Sequence, residues 1–228
     1  MATGTAMVAR SDAQVKADVL KELKWDTTVS ETEVGVQVKD GIVTLTGNVD
    51  AYPKRMAARN AAHRVIGVLD VVDELKVRIP TVWERTDEDI AKAVRNALKW
   101  DVLVPDDRIT TTVSNGTVML QGSVTTWQQR ADAERAITRL TGVRTVTNQL
   151  SVTASTLDPA KIKSEIEKAL ERQAERESRR IAVSVQDGTV TLTGTVRSWG
   201  ERSAVEQAAS FAPGVQRIED RTVVDPYQ

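Results

Sequence analysis

The sequence predicts an α+β protein that consists of three tandem α-β-β-α-β modules. Three observations support this prediction: a repeated hairpin motif, an apolar stripe at helical spacing before it, and an alanine-rich segment after it. The motif reads Asp-Gly-Ile-Val-Thr-Leu-Thr-Gly-Asn-Val at 40–49, and close variants stand at 115–124 and 187–196. The copies are therefore 75 and 72 residues apart. The predicted modules are module one at 11–79, module two at 86–153 and module three at 157–225.

Each module is predicted to open with a helix. In module one Ser11 is a suitable N-cap, and Gln14 completes a capping box. Modules two and three begin in the same way at Thr86 and Asp158, and Pro159 suits the first helical position. The apolar positions of the three helices are Val15, Val19 and Leu23; Ile90, Val94 and Leu98; and Ile162, Ile166 and Leu170. Their i, i+4, i+8 spacing places one apolar stripe on each helix.

The hairpin follows, and its glycines are the strongest local signal. Asp-Gly or Asn-Gly between two β-branched runs predicts a type I′ turn, because both central residues of that turn need positive φ. The turn glycines are Gly41, Gly116 and Gly188. A second set, Gly47, Gly122 and Gly194, is expected to end the second strand at a bulge or at a close approach by the next helix.

A second, alanine-rich helix is predicted over residues 54–66, 128–141 and 200–212. Gly67, Gly142 and Gly214 are expected to close these helices as C′ residues. A third strand comes next in each module. A hairpin followed by a helical crossover predicts a small mixed three-stranded sheet with both helices on one face.

The repeated unit resembles the BON domain, named for bacterial OsmY and nodulation. The resemblance rests on the Asp-Gly-x-Val-x-Leu-x-Gly-x-Val motif, the alanine-rich helix and a closing Gly-Val at Gly67-Val68, Gly142-Val143 and Gly214-Val215. It covers nearly the whole chain and looks like the three-copy BON proteins without a signal peptide. It implies a role in osmotic and envelope stress, with binding of phospholipid or other envelope components. The family offers no catalytic residues to transfer.

Composition excludes several classes of function. The chain has no cysteine, so thiol catalysis and thiolate metal sites are excluded. The formal net charge is −1 and no module has a basic surplus, which argues against nucleic-acid binding. The run Glu171–Arg180 mixes charges of both signs and predicts a solvated helix extension. There is no secretory signal and no apolar run long enough for a membrane span, so a cytoplasmic location is expected.

No enzyme activity, cofactor or metal site is expected. His63 is the only histidine, and the residues at its position in the other modules are Thr138 and Ser210. A lone histidine on a helix is more often a surface residue than an acid–base catalyst. Asp40 and its counterparts fit the turn itself, and single isolated carboxylates cannot form a calcium site.

The repeated aromatic position is the main candidate for a binding or interface site. Tyr52, Trp127 and Trp199 stand just after the hairpin, and Arg55, Arg130 and Arg202 follow three residues later. Tyrosine and tryptophan suit lipid–water and protein–protein interfaces. The alternative is a structural staple over the sheet edge, with the arginine stacked on the ring.

Two further tryptophans match each other. Trp25 and Trp100 stand near the ends of the first helices of modules one and two, whereas Arg172 takes this position in module three. The difference indicates a surface or neighbour that only modules one and two share. Trp83, in the linker between them, is expected to pack between modules.

Three functions remain open from the sequence. The first is peripheral association with phospholipid or envelope components during osmotic stress. The second is an interaction scaffold or chaperone-like protein, for which repetition and open sheet edges provide the reason. The third is a sensor of a small ligand or a monovalent ion. The oligomeric state does not follow from the sequence.

Overall fold

The computed structural model describes residues 10–153, 158–173 and 181–226, and the side chains of 171–173 lie outside this description. The expected features of Arg172, most of the run Glu171–Arg180 and the linker 154–157 therefore lie outside the described residues. Within them, the chain forms six α-helices and nine strands in the order α-β-β-α-β, three times over. The predicted fold class is confirmed.

Every module has the same helices. The first helices are α1 (Asp12–Trp25), α3 (Asp87–Trp100) and α5 (Pro159–Gln173), and the second helices are α2 (Tyr52–His63), α4 (Trp127–Thr138) and α6 (Trp199–Ser210). The Ser11 hydroxyl accepts a hydrogen bond from the Gln14 amide, and the Gln14 side chain accepts one from the Ser11 amide, so the predicted capping box is present. The three residues of the predicted stripe on α1 are buried.

Each module has its own three-stranded sheet. The strands are β1 (Val34–Lys39), β2 (Ile42–Val49) and β3 (Asp70–Val77); β4 (Ile109–Ser114), β5 (Thr117–Val124) and β6 (Thr145–Val152); and β7 (Ile181–Gln186), β8 (Thr189–Val196) and β9 (Arg217–Val224). The second strand lies in the middle, antiparallel to the first and parallel to the third. Both helices cover one face, and the core of each module lies between them and the sheet.

The predicted type I′ turns are confirmed. Asp40 and Gly41 have φ of 51° and 75°, and the equivalent residues of the other modules have nearly the same values. Positive φ is costly for residues with a Cβ, and aspartate and asparagine tolerate it better than most. The turn is thus set by local sequence.

The second glycine of the motif does not end its strand, contrary to expectation. Gly47 and Gly122 lie inside β2 and β5, which continue for two more residues. Their φ values are 127° and 124°, and a Cβ on Gly122 would stand 2.1 Å from the Arg108 carbonyl oxygen. The close approach therefore comes from the residue before the first strand, and not from the next helix. Gly194 lies at the same position of β8, with a φ of 132°.

The second helices are also shifted from their predicted bounds. They begin at the aromatic residue itself, because Thr126 and Ser198 cap α4 and α6 by accepting hydrogen bonds from the backbone amides three residues on. They end before the predicted closing turn. Gly67, Gly142 and Gly214 are therefore not C′ residues, and each lies in a further turn before the third strand.

A carboxylate joins the first helix to the hairpin in modules one and two. The side chain of Asp87 accepts hydrogen bonds from the amides of Asn115 and Gly116 at 2.8 and 2.9 Å. Asp12 makes the same pair of contacts with the turn of module one. Pro159 takes this position in module three and has no side-chain acceptor. The first two modules thus have a contact between the first helix and the hairpin turn that Pro159 cannot make in the third.

An Asp87→Ala substitution is expected to lower the free energy of unfolding by about 1–2 kcal/mol, because two hydrogen bonds to a charged acceptor are lost. Chemical denaturation measures the change. The matched control is Glu88→Ala, since Glu88 pairs only with the exposed Lys92 among the described residues and should matter by less than about 0.5 kcal/mol. Equal effects of the two substitutions would contradict the role of Asp87.

Candidate functional site

The three aromatic residues at the start of the second helices each contact the following module. Tyr52 of module one is only 8% exposed and belongs to the hydrophobic core of module two, with Met56 and Val77 packed beside it. Trp127 of module two packs against the core of module three. The same position thus makes the same type of contact twice.

The third contact runs back to the first module. Trp199 of module three packs against the core of module one, and its indole Nε1–H donates a hydrogen bond to the Leu69 carbonyl oxygen at 3.1 Å. Its ring also stacks on His63, with centroids 4.3 Å apart and an interplanar angle of 10°. We call these three contacts, made by Tyr52, Trp127 and Trp199, the aromatic junctions.

Together the aromatic junctions close a ring of three modules. A head-to-tail contact between like units forms a ring when successive rotations return to the first unit. Module one contacts two, two contacts three, and three contacts one.

The arginines next to the aromatics hold the second helix to the third strand. Arg55 pairs with Asp73 at 2.9 Å, and Arg202 pairs with Asp220 at 2.7 Å. Burial alone would raise the pKa of Asp220, but hydrogen bonds from Thr222 and Arg202 outweigh it and lower that pKa. These arginines thus have partners inside their own modules.

In modules two and three the arginine also lies over the aromatic ring. Arg130 stands 4.9 Å from the centroid of Trp127, and Arg202 stands 4.7 Å from that of Trp199. Arg130 donates to the Asn148 and Leu150 carbonyl oxygens at 2.9 and 3.2 Å. The arginine stacked on the ring, which the sequence offered as part of the alternative staple, is therefore present in modules two and three.

Trp25 and Trp100 have a contrasting environment. Their exposed fractions are 85% and 86%, and each is the last residue of its helix. Val102 and Leu103 follow Trp100 and are also exposed. We call Trp25 and the segment 100–103 the tryptophan tips. Within the described part of the chain, Trp25 and Trp100 are more exposed than any other aromatic side chain.

Trp83 lies between modules one and two, as the sequence predicts. It is half exposed and lines a cleft of about 270 Å³ together with Tyr52 and Pro53 of module one and Leu140 and Val143 of module two. It therefore flanks the first aromatic junction.

The residues that the structure describes hold neither a metal-binding cluster nor a membrane-spanning helix. They contain no group of three or more histidine, cysteine, aspartate or glutamate side chains that could hold a metal ion. Their helices are all too short or too polar to cross a bilayer.

Comparison with known proteins identifies the family of this protein. The BON domain model matches residues 11–79, 86–154 and 158–226, so the chain belongs to the BON domain family. Among curated proteins, it is similar to osmotically-inducible protein Y of Escherichia coli (strain K12). The two are 27% identical over 143 residues, which cover 61% of this chain and 71% of that protein.

Solved structures offer a more distant similarity. The C-terminal domain of CdsD, the structural protein of the type III secretion system of Chlamydia trachomatis, matches with 16% identity and a TM-score of 0.25. The match covers 95% of this chain and 100% of that one.

Proposed function

We propose that this protein is a non-catalytic binding protein of the osmotic-stress response that attaches peripherally to phospholipid surfaces. Its similarity to osmotically-inducible protein Y supports the association with osmotic stress. The exposure of the tryptophan tips is the single observation that supports attachment to lipid. The aromatic junctions contribute indirectly, because they hold the modules in one arrangement.

Exposed tryptophans at helix ends are suited to a bilayer interface. Tryptophan combines a large apolar ring with an N–H donor, and it concentrates where lipid headgroups meet the acyl chains. Lys24 and Lys99 directly precede the two tryptophans, in the last helical turns. Cationic side chains beside an interfacial ring add attraction to anionic headgroups. Each tip therefore offers one apolar and one basic contact.

The protein carries two tryptophan tips of the same kind. Trp25 and Trp100 are equivalent residues of neighbouring modules, and each is the last residue of the first helix of its module. We infer that both tips meet one lipid surface. Two weak contacts on one body bind more strongly than either alone, because the second forms at high effective concentration.

Liposome co-sedimentation tests this function. The Trp25→Ala/Trp100→Ala double variant is expected to lose roughly 30-fold or more in affinity, since two rings are removed and each costs about 1–2 kcal/mol at an interface. Vesicles of zwitterionic lipid and of mixed zwitterionic and anionic lipid should both be used. The lysines predict stronger binding to the second.

Phe211→Ala is the matched control, because Phe211 is an exposed aromatic (57%) outside the tips. It should leave binding unchanged. The proposal fails if the unaltered protein binds neither vesicle, or if the double variant and the control bind equally.

A polypeptide-binding scaffold is the second candidate. It is favoured by the sheet order, since only the second strand of each sheet is central and the first and third strands are both edge strands. Outer strands can receive a partner strand through main-chain hydrogen bonds. Suppression of client aggregation at stoichiometric amounts, together with capture of defined unfolded clients, would support it. Failure of both would exclude it.

A further inference from the structure

The junction between modules three and one has a titratable side chain that the other two lack. His63 stacks on Trp199 there, whereas Thr138 and Ser210 stand at the equivalent positions of modules two and three. Imidazole is the side chain whose charge changes near neutral pH. At this position of the repeat, therefore, only the junction between modules three and one has a side chain that mild acid can protonate.

Charged groups surround the imidazole on three elements. A cleft of about 410 Å³ at this junction is lined by Arg59 of α2, by Arg64 at the C-cap of α2, and by Arg202 and Glu206 of α6. Asp70 approaches from β3 and favours a positive imidazole. Arg64 pairs with Glu22 and Asp26, and Arg202 pairs with Asp220. Arg59 has no ion pair with any described residue.

We propose that this junction is an acid-sensitive latch, which neutral His63 holds closed by stacking on Trp199 and which protonation of His63 opens. The latch works at one contact of the ring, and the other two junctions keep modules one to two and two to three together. Opening exposes the Trp199 ring and the end of the module one core on which it lies. The proposal does not depend on phospholipid binding.

The surroundings of the imidazole determine whether acid opens or closes the latch. Burial, and then the nearby charge of Arg59, lower the pKa of His63 below its ordinary value of 6.5, and Arg202 adds to this while Asp70 opposes it. In the open form the imidazole meets water and regains its ordinary pKa. Well above pH 6.5 both forms are neutral, and the latch has its full strength. As the pH falls below 6.5, the open form binds the proton first and gains population.

The size of this pH effect depends on how far the pKa of His63 is lowered in the closed form. Each unit of difference between the closed and the open forms shifts the equilibrium about tenfold toward opening once both are protonated. The closed latch is also held by the partly buried Trp199 ring and its hydrogen bond to the Leu69 carbonyl oxygen. Acid therefore weakens this junction selectively and leaves the module cores folded.

Nuclear magnetic resonance on the intact chain tests the latch. His63 is the only histidine, so its imidazole proton signals identify it without ambiguity. The expected midpoint of its titration lies below 6.5. The indole N–H signal of Trp199, assigned by its loss in Trp199→Phe, should shift with the same midpoint and exchange faster with water in acid. The indole signal of Trp127, at a junction without histidine, is the internal control and should not move between about pH 5 and 7.

Two variants separate the latch from a general acid effect. His63→Gln cannot be protonated, so the Trp199 signal should lose its pH dependence. Arg59→Gln removes a repelling charge and should raise the His63 midpoint toward 6.5. The proposal is overturned by a midpoint at or above 6.5 in the unaltered protein. A Trp199 signal that still moves in His63→Gln, or a Trp127 signal that moves in parallel, would overturn it as well.

Discussion

A Gly122→Ala substitution is expected to lower the free energy of unfolding by at least about 3 kcal/mol, through backbone strain and a clash with a carbonyl group. The φ of 124° is in the region that favours glycine, and the new Cβ would stand 2.1 Å from the Arg108 oxygen. That oxygen belongs to the backbone, so neither side can move without disturbing the pairing of β4 with β5. Chemical denaturation followed by circular dichroism measures the loss.

Gly200→Ala is the matched control for this prediction. Gly200 lies in the first turn of α6, and the nearest atom to an added Cβ is the Ser198 Oγ at 3.6 Å, which is ordinary contact. Alanine there should stabilise the protein by up to about 1 kcal/mol, because it restricts the unfolded chain and favours the helix. A Gly122→Ala variant that is as stable as the unaltered protein would show that β5 tolerates a Cβ inside the strand.

A Tyr52→Ala substitution is expected to cost about 3 kcal/mol, because it leaves a cavity in the core of module two. Tyr52 belongs to module one in sequence but to the core of module two in space. Hydrogen exchange should therefore show lost protection in α3 and β5, which are in a different module from the substituted residue. Independent modules would show the loss in module one alone.

Trp25→Ala is the control for Tyr52→Ala. It also removes an aromatic side chain from module one, but Trp25 is 85% exposed. Its loss should change stability by less than about 0.5 kcal/mol. If the two substitutions had equal effects, Tyr52 would not be part of a buried junction.

Much of each module follows from the sequence because its elements are local. The hairpin turns depend on two adjacent residues with positive φ, and the helix caps depend on residues three apart. The glycine inside β5 is not explained by local sequence. Its reason is the carbonyl of Arg108, the residue just before Ile109, which the strand register pairs with Gly122.

The ring could not be predicted from the sequence. The hydrogen bond from Trp199 to Leu69 joins residues 130 positions apart, and neither residue has a pattern that points to the other. The repeat did single out Tyr52, Trp127 and Trp199. An aromatic residue at this position could pack within its own module or against the next one, and the sequence pattern is the same in both cases. The exposure of Trp25 has a local signal: it lies two residues beyond Leu23, off the apolar stripe of α1.

The closed ring is the central structural feature of this protein, and one proton–proton measurement tests it directly. A nuclear Overhauser effect between the imidazole of His63 and a tryptophan indole is expected, because the ring centroids are 4.3 Å apart. The cross-peak should disappear in Trp199→Phe and persist in Trp25→Ala. A folded chain with no cross-peak between the only histidine and any tryptophan would contradict the ring and leave three modules in an open row.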